Sequence, residues 1–288
     1  SSAASDVYKR QTYHTPLGDA YALIRASLSL GTGSSWIVKH LLERREDYDV
    51  VKYIIENTEY VPNYENFSLT ERFLGDDGIV MAIAPPSPLM RLFKEIMGQR
   101  IFAIEVYRQS DDFKELFDIL WRKHQEAYEI VAESPAKVVW CIENMDGIFI
   151  GPKLFKKYCI PAYNKYAEIL HSKGKLMSIH MDGRLRCLKE LIPQINVDCI
   201  DGFTPPPIGD LPIREARGIW GDKFAIWINI PESIFYYEPK KIKEYLINLI
   251  GEVKGGRFIV GITEDIPTER FEIACRILGE VMKENIRC

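Results

Sequence analysis

Two consecutive apolar runs in this sequence stop in residues that can hold a charge or move a proton. Residues 176–179 end in His180, Asp182 and Gly183, and residues 197–200 end in Asp201, Thr204 and three prolines. Three further runs behave alike: 138–142 leads into Glu143, Asn144 and Asp146, 224–228 into Asn229 and Glu232, and 258–262 into Thr263, Glu264 and Asp265. In parallel α/β proteins the C-terminal ends of the strands share one mouth, and the chemistry is done there. His180 and Asp182 are two residues apart, so they leave the same face if the extended conformation persists. With Glu264 from another strand end they form a nitrogen–oxygen donor set for a divalent metal, zinc or similar. The plainer alternative has His180 hydrogen-bonded to a carboxylate in a metal-free polar pocket. His180, Asp182 and Glu143 are the candidate catalytic residues, Glu143 as a proton carrier. Asn144, Asp146, Asp201, Thr204, Arg184 and Asn229 are candidate substrate contacts.

For several residues a structural reading is favoured over a site role. Asp146 and Asp265 stand where helix caps are expected, and Asp210 before Leu211-Pro212 does too. Arg184 and Arg186 fit a solvated face as well as a carboxylate pocket. His14, His40, His124 and His171 read as structural or exposed, and the five tryptophans, Trp140 among them, as core. Cys141 and Cys199 lie inside apolar runs and read as buried, inert thiols.

From residue 79 onward short apolar runs alternate with amphipathic segments. Strands are expected at 79–84, 138–142, 176–179, 197–200, 224–228 and 258–262, and helices at 113–132, 152–172, 185–194, 213–220, 239–253 and 267–283. Several strand runs are continuously apolar, as when both faces are covered. No GxGxxG follows the first strand and no GxxxxGK[ST] occurs; Gly31-Thr32-Gly33 is too short to count. The α/β class with a (β/α)8 (TIM) barrel is therefore favoured over a doubly wound sheet. Six strands suggest that the first barrel strand is missing through N-terminal truncation. Residues 12–62 are read as the excursion after it, with Thr15-Pro16-Leu17-Gly18 as a turn. Residues 1–11, SSAASDVYKRQ, look like a translated adapter tract and are set aside as a non-native leader, leaving 12–288 as one barrel domain.

Bulk composition narrows the partners. The chain has 288 residues, 47% apolar, with 37 basic and 41 acidic side chains for a net charge of −4. Without a basic stripe, nucleic acid is not an expected partner. The six cysteines form no CxxC pair, which suits reduced thiols in a cytoplasm. No apolar run approaches the roughly 20 residues of a membrane span.

The run Gly151-Pro152-Lys153-Leu154-Phe155, then Ile160-Pro161-Ala162-Tyr163, His171-Ser172-Lys173-Gly174-Lys175 and His180-x-Asp182-Gly183 resembles the uroporphyrinogen decarboxylase superfamily. That superfamily joins a haem-pathway decarboxylase to cobalamin-dependent methyltransferases of the methylcobalamin:coenzyme M type. The resemblance implies a (β/α)8 barrel, and a tetrapyrrole or small-molecule substrate. Where it is a methyltransferase, it further implies corrinoid (methylcobalamin) as methyl carrier and a corrinoid protein as partner. Two departures stand out. The zinc methyltransferases hold metal with H-x-C and a later Gly-Cys turn, whereas this chain has Asp182 in place of the first cysteine and Gly261-Ile262-Thr263-Glu264 in the later region. A His180/Asp182/Glu264 site is the nearest substitute for zinc-thiolate. The decarboxylase's arginine-rich N-terminal segment and its Gly-His turn have no counterpart. The expected activity is corrinoid-linked methyl transfer at the barrel mouth. The alternatives are cofactor-independent decarboxylation of uroporphyrinogen or another polycarboxylate, and non-catalytic corrinoid or tetrapyrrole binding.

Overall fold

The computed structural model describes residues 7–26, 35–253, 256–262, 266 and 268–285. They divide into two compact units, residues 1–136 and 137–288, where the sequence suggests one domain over 12–288.

The first unit starts with an antiparallel meander, β1 (Val7–Thr15), β2 (Gly18–Ala26) and β3 (Ser35–Lys39), which the sequence does not announce. Its alternation is faint because the buried positions of β2 are the small Ala20 and Ala22. The Pro16-Leu17 turn is where the sequence places it, pairing Thr15 with Gly18. Val7–Gln11, read from the sequence as foreign leader, form the first half of β1 and pair with residues 22–26 of β2. There follow α1 (Asp47–Glu56), α2 (Tyr64–Leu74), β4 (Ala82–Ala84), α3 (Pro88–Arg91), α4 (Gly98–Arg108) and α5 (Asp111–Ala132). The long α5 is capped by Ser110, whose hydroxyl accepts from the Phe113 amide, and buries a stripe through Phe113, Leu116, Leu120, Ala127 and Tyr128. In the same unit the fully buried His124 faces Arg91 at 3.0 Å, and burial beside that cation holds its pKa down to about 3. His124 is thus a neutral structural group.

The second unit carries the strand–helix alternation. In order it contains β5 (Val138–Cys141), α6 (Gly147–Leu154), α7 (Ile160–His171), β6 (Leu176–His180), β7 (Cys199–Phe203), α8 (Ile213–Trp220), β8 (Ala225–Asn229), α9 (Pro239–Val253), β9 (Phe258–Gly261) and α10 (Thr268–Asn285). Strands β5 to β9 pair in sequence order, all parallel, which is the α/β arrangement from which (β/α)8 barrels are built. Val139, Cys141, Met177, Ile179, Ile200, Ile226 and Ile228 are fully buried, so the sheet face they share is covered.

One expected helix is absent. Residues 185–194 form two short 3-10 turns, Arg186–Leu188 and Ile192–Gln194. Pro193 has no N–H to give and its ring clashes with the carbonyl four residues back, which stops an α-helix through this stretch. Asp210 does not cap α8 either, because that helix starts at Ile213 behind Pro212. Asp210 instead accepts from the Arg186 backbone N–H at 3.0 Å. Among the described residues no helix is long and apolar enough to cross a membrane.

Candidate functional site

The parallel register of β5, β6 and β7 builds the site. Trp140 lies opposite Ser178, Ser178 opposite Cys199, and His180 opposite Asp201. Side chains two apart on a strand leave one face, so Trp140, His180 and Asp201 converge. Asp201 is 3% exposed, and a carboxylate this buried needs donors. It has two on a single oxygen: Oδ2 accepts from Trp140 Nε1 at 2.6 Å and from His180 Nδ1 at 2.8 Å. The ring of His180 meets that of Trp140 edge to face, 5.6 Å between centroids at 83°. Its other nitrogen, Nε2, lies 3.7 Å from Asp182 Oδ2, too long for a hydrogen bond but an ionic contact. Burial by itself would lower the His180 pKa; the carboxylates of Asp182 and Asp201 outweigh it and raise the value to about 9. At neutral pH the ring is an imidazolium held between two carboxylates.

Glycines make this packing feasible. The ladder of β7 slips between Ile200 and Phe203, with Gly202 at φ +71°. A Cβ there would lie 2.5 Å from His180 Cε1, so only glycine lets the ring rest on that backbone. The loop carrying Asp182 is fixed by the loop after β5. Gly183 N–H donates to Met145 O at 3.0 Å, and Gly147 N–H donates to Arg184 O at 2.9 Å. A Cβ on Gly183 would meet Asp146 Cα at 2.6 Å.

The other expected site residues fall into separate groups. Asp146 caps α6 through the Ile148 N–H at 2.7 Å and receives the Arg184 N–H and Nε at 3.3 and 3.4 Å, so it fixes loops. Arg184 is committed there, and Arg186 to the Asp210 carbonyl and Glu215. Glu143 is fully buried and accepts from Tyr163 Oη of α7 at 2.7 Å; its Oε2 also faces Cys141 Sγ. Cys141 belongs to the covered sheet face, so these contacts tie Glu143 to α7 packing groups. Asn144 is exposed with φ +53°, a left-handed geometry that asparagine tolerates. Thr204 and Asn229 form a buried pair: Asn229 Nδ2 donates to Thr204 Oγ1 at 3.1 Å, which donates to Gly202 O at 2.9 Å. Glu264 lies outside the described residues.

Trp140 and Tyr163 are the partners the sequence reading missed. The signal for Trp140 is an indole two residues before the end of an apolar strand, beside a strand ending in histidine. A metal needs three or so protein donors. Among the described residues no group of three His, Cys, Asp or Glu side chains is placed to hold one. Asp201 is taken up by Trp140 and His180, and Asp182 lies 3.7 Å from His180 Nε2. These residues alone do not fit a metal centre, and no step is derived through one.

Residues 42–282 match the family model described as uroporphyrinogen decarboxylase (URO-D). No curated protein sequence matches the chain. Among solved structures it is similar to a methyltransferase from Methanosarcina mazei, with TM-score 0.60 and 13% identity over 88% of this chain and 75% of that one. It is also similar to a candidate vitamin-B12-independent methionine synthase from Listeria monocytogenes, with TM-score 0.47 and 12% identity over 82% and 87%. At such identities the first likeness is one of fold. The family match spans both units and includes every strand end described above: the chain belongs to the uroporphyrinogen decarboxylase (URO-D) family.

Proposed function

We propose that this URO-D family protein is a methyl-transfer enzyme in which His180 is the general acid. The observation that carries the reading is the clamped imidazolium: Nδ1 is fixed on Asp201 at 2.8 Å while Nε2, which carries the second ring proton, lies 3.7 Å from Asp182 Oδ2. As a methyl group leaves a heteroatom, the bonding pair stays on that atom, which takes the Nε2 proton. The ring is left neutral, keeping its Nδ1–H hydrogen-bonded to Asp201, and solvent returns a proton to Nε2. Asp182 steadies the charged form before transfer.

A corrinoid, when bound, would supply the methyl-accepting centre. The segments that follow β5, β7 and β8, the first turn of α6 included, carry exposed apolar side chains suited to border a large macrocycle: Ile148, Phe149, Ile208, Tyr236 and Tyr237. A corrinoid protein is the natural partner for such a rim. The competing reading, polycarboxylate decarboxylation, needs cations free to neutralise acetate or propionate groups. Arg184 and Arg186, the two the sequence offers, are committed to Asp146 and to Asp210 and Glu215. A metal-assisted variant of methyl transfer requires Glu264 to complete a site with His180 and Asp182. One equivalent of divalent metal, lost in His180→Ala, supports that variant.

The test follows methyl transfer from a panel of methylated oxygen, nitrogen and sulfur donors to a reduced corrinoid, read from the corrinoid absorbance, for the protein and His180→Gln. A loss of 10²- to 10⁴-fold in the variant, with folding intact, is the expectation for a general acid. Equal rates, or turnover of uroporphyrinogen in place of methyl donors, overturn it.

A further inference from the structure

We infer that Trp140 is a positioning residue for His180, acting through Asp201 Oδ2 to fix which imidazole nitrogen faces the substrate. The inference rests on the reading of His180 given above and assigns a role to a residue that reading does not need.

The argument is one of donors and acceptors. Asp201 Oδ2 receives both the indole N–H at 2.6 Å and the His180 Nδ1–H at 2.8 Å. An indole N–H donates and never accepts, so the oxygen it holds is an acceptor in every protonation state of the site. A neutral imidazole can place its one proton on either nitrogen, and its neighbours decide which. Facing an oxygen pinned as acceptor, Nδ1 keeps its proton and Nε2 becomes the nitrogen that gives and regains one. Without the indole, the carboxylate can rotate about its own bond and the ring can follow. The second hold is steric: the Trp140 and His180 rings pack edge to face at 83°, and a Cβ on Gly202 would lie 2.5 Å from His180 Cε1, so the main chain there lies close against the ring. The ring is therefore packed against both an indole and main chain. Trp140 owes this to register, since opposite Ser178 it stands one step below His180 on the same sheet face.

The test uses two replacements in the whole protein. Trp140→Phe keeps an aromatic edge and loses the N–H. Benzothienylalanine at position 140 keeps the full indole shape with sulfur in place of N–H, so it guards against a folding defect. The first readout needs no substrate: nitrogen-15 shifts of the His180 ring, identified by their loss in His180→Gln. The expected result is a move of both ring nitrogens in each Trp140 replacement, toward a mixture of neutral tautomers above the ring's titration. The second readout is kinetic. A fall in kcat of about tenfold with KM changed less than twofold is expected, since a misdirected acid slows chemistry without weakening binding. In an Asp201→Ala background, which removes the shared acceptor, the Trp140 replacements should add less than twofold, because the path through Oδ2 is already broken. Unchanged nitrogen shifts, or a full tenfold effect persisting in Asp201→Ala, overturn the positioning role. An unaffected rate in His180→Gln would instead overturn the general-acid reading, while the nitrogen shifts still decide the role of Trp140.

Discussion

Replacing Asp201 by asparagine removes one charge from the clamp while nearly preserving its shape. Because Trp140 and His180 share a single oxygen, the amide oxygen of the substituted side chain can take the same place and accept both bonds. What is lost is mainly the attraction between carboxylate and imidazolium. Holding the His180 proton up to about 9 instead of 6.5 corresponds to about 3 kcal/mol, at roughly 1.4 kcal/mol per tenfold. Asp201 is the closer carboxylate, 2.8 against 3.7 Å, and its side chain is the less exposed, 4% against 33%. Asp182 and Asp201 share this stabilisation, so removing the Asp201 charge forfeits part of it. Since the folded pKa is raised, the stabilisation is complete below about 6.5 and disappears as pH rises through about 9. Asp201→Asn should therefore unfold more easily at pH 6, by at most about 3 kcal/mol, a fall in Tm of no more than roughly 5 °C for a chain of this size. The difference should have largely vanished at pH 10. Urea denaturation of both proteins from pH 6 to 10, with the His180 titration followed by NMR, measures it. A stability difference independent of pH, or a His180 pKa unchanged in the variant, refutes the account.

Other substitutions test the frame around the pair. Gly202→Ala forces a side chain onto φ +71° and drives its Cβ into the His180 ring, so thermal melting should drop by several degrees and methyl transfer should fall at least tenfold; a neutral outcome in both assays contradicts this packing. Tyr163→Phe takes the phenol donor from buried Glu143 and should cost about 1–3 kcal/mol in denaturant unfolding, without the pH signature of the Asp201 variant. Arg184→Ala breaks a partly exposed pair with Asp146 and should cost under about 1 kcal/mol, leaving KM within threefold. A tenfold or larger rise in KM there would point to a carboxylate-bearing substrate. For the unmodified protein, the methyl-transfer rate should hold through neutral pH and decline as His180 loses its proton near pH 9.

How far the sequence reaches can be judged element by element. The apolar runs from residue 138 onward mark β5 to β9 because strands covered on both faces are continuously apolar, a signal that needs no tertiary context. Polar residues at the ends of those runs locate the site for a similar reason: chain direction in a parallel sheet sends every C-terminal end to one side. That ground brings His180, Asp182 and Asp201 together as candidates, and the structure places them in contact. The meander of β1 to β3 was not legible, because Ala20 and Ala22 give its buried face little hydrophobic contrast. The expected helix over 185–194 ignored the reach of Pro193 back along the chain.

What only the tertiary structure decided is which polar group meets which. Asp182 is two residues from His180 in sequence and suggests a shared ligand set, yet the short bond of His180 is to Asp201, twenty-one residues away, because strand register sets them opposite each other. Glu143 reads as a pocket acid from its place after β5, but its carboxylate accepts from Tyr163 on α7. Trp140 reads as core, and becomes a partner of the site because its N–H reaches the same oxygen as His180. Residue type and strand order come from local physics written along the chain. Pairings across strands depend on register and on which backbone positions can do without a Cβ, and those are properties of the assembled sheet.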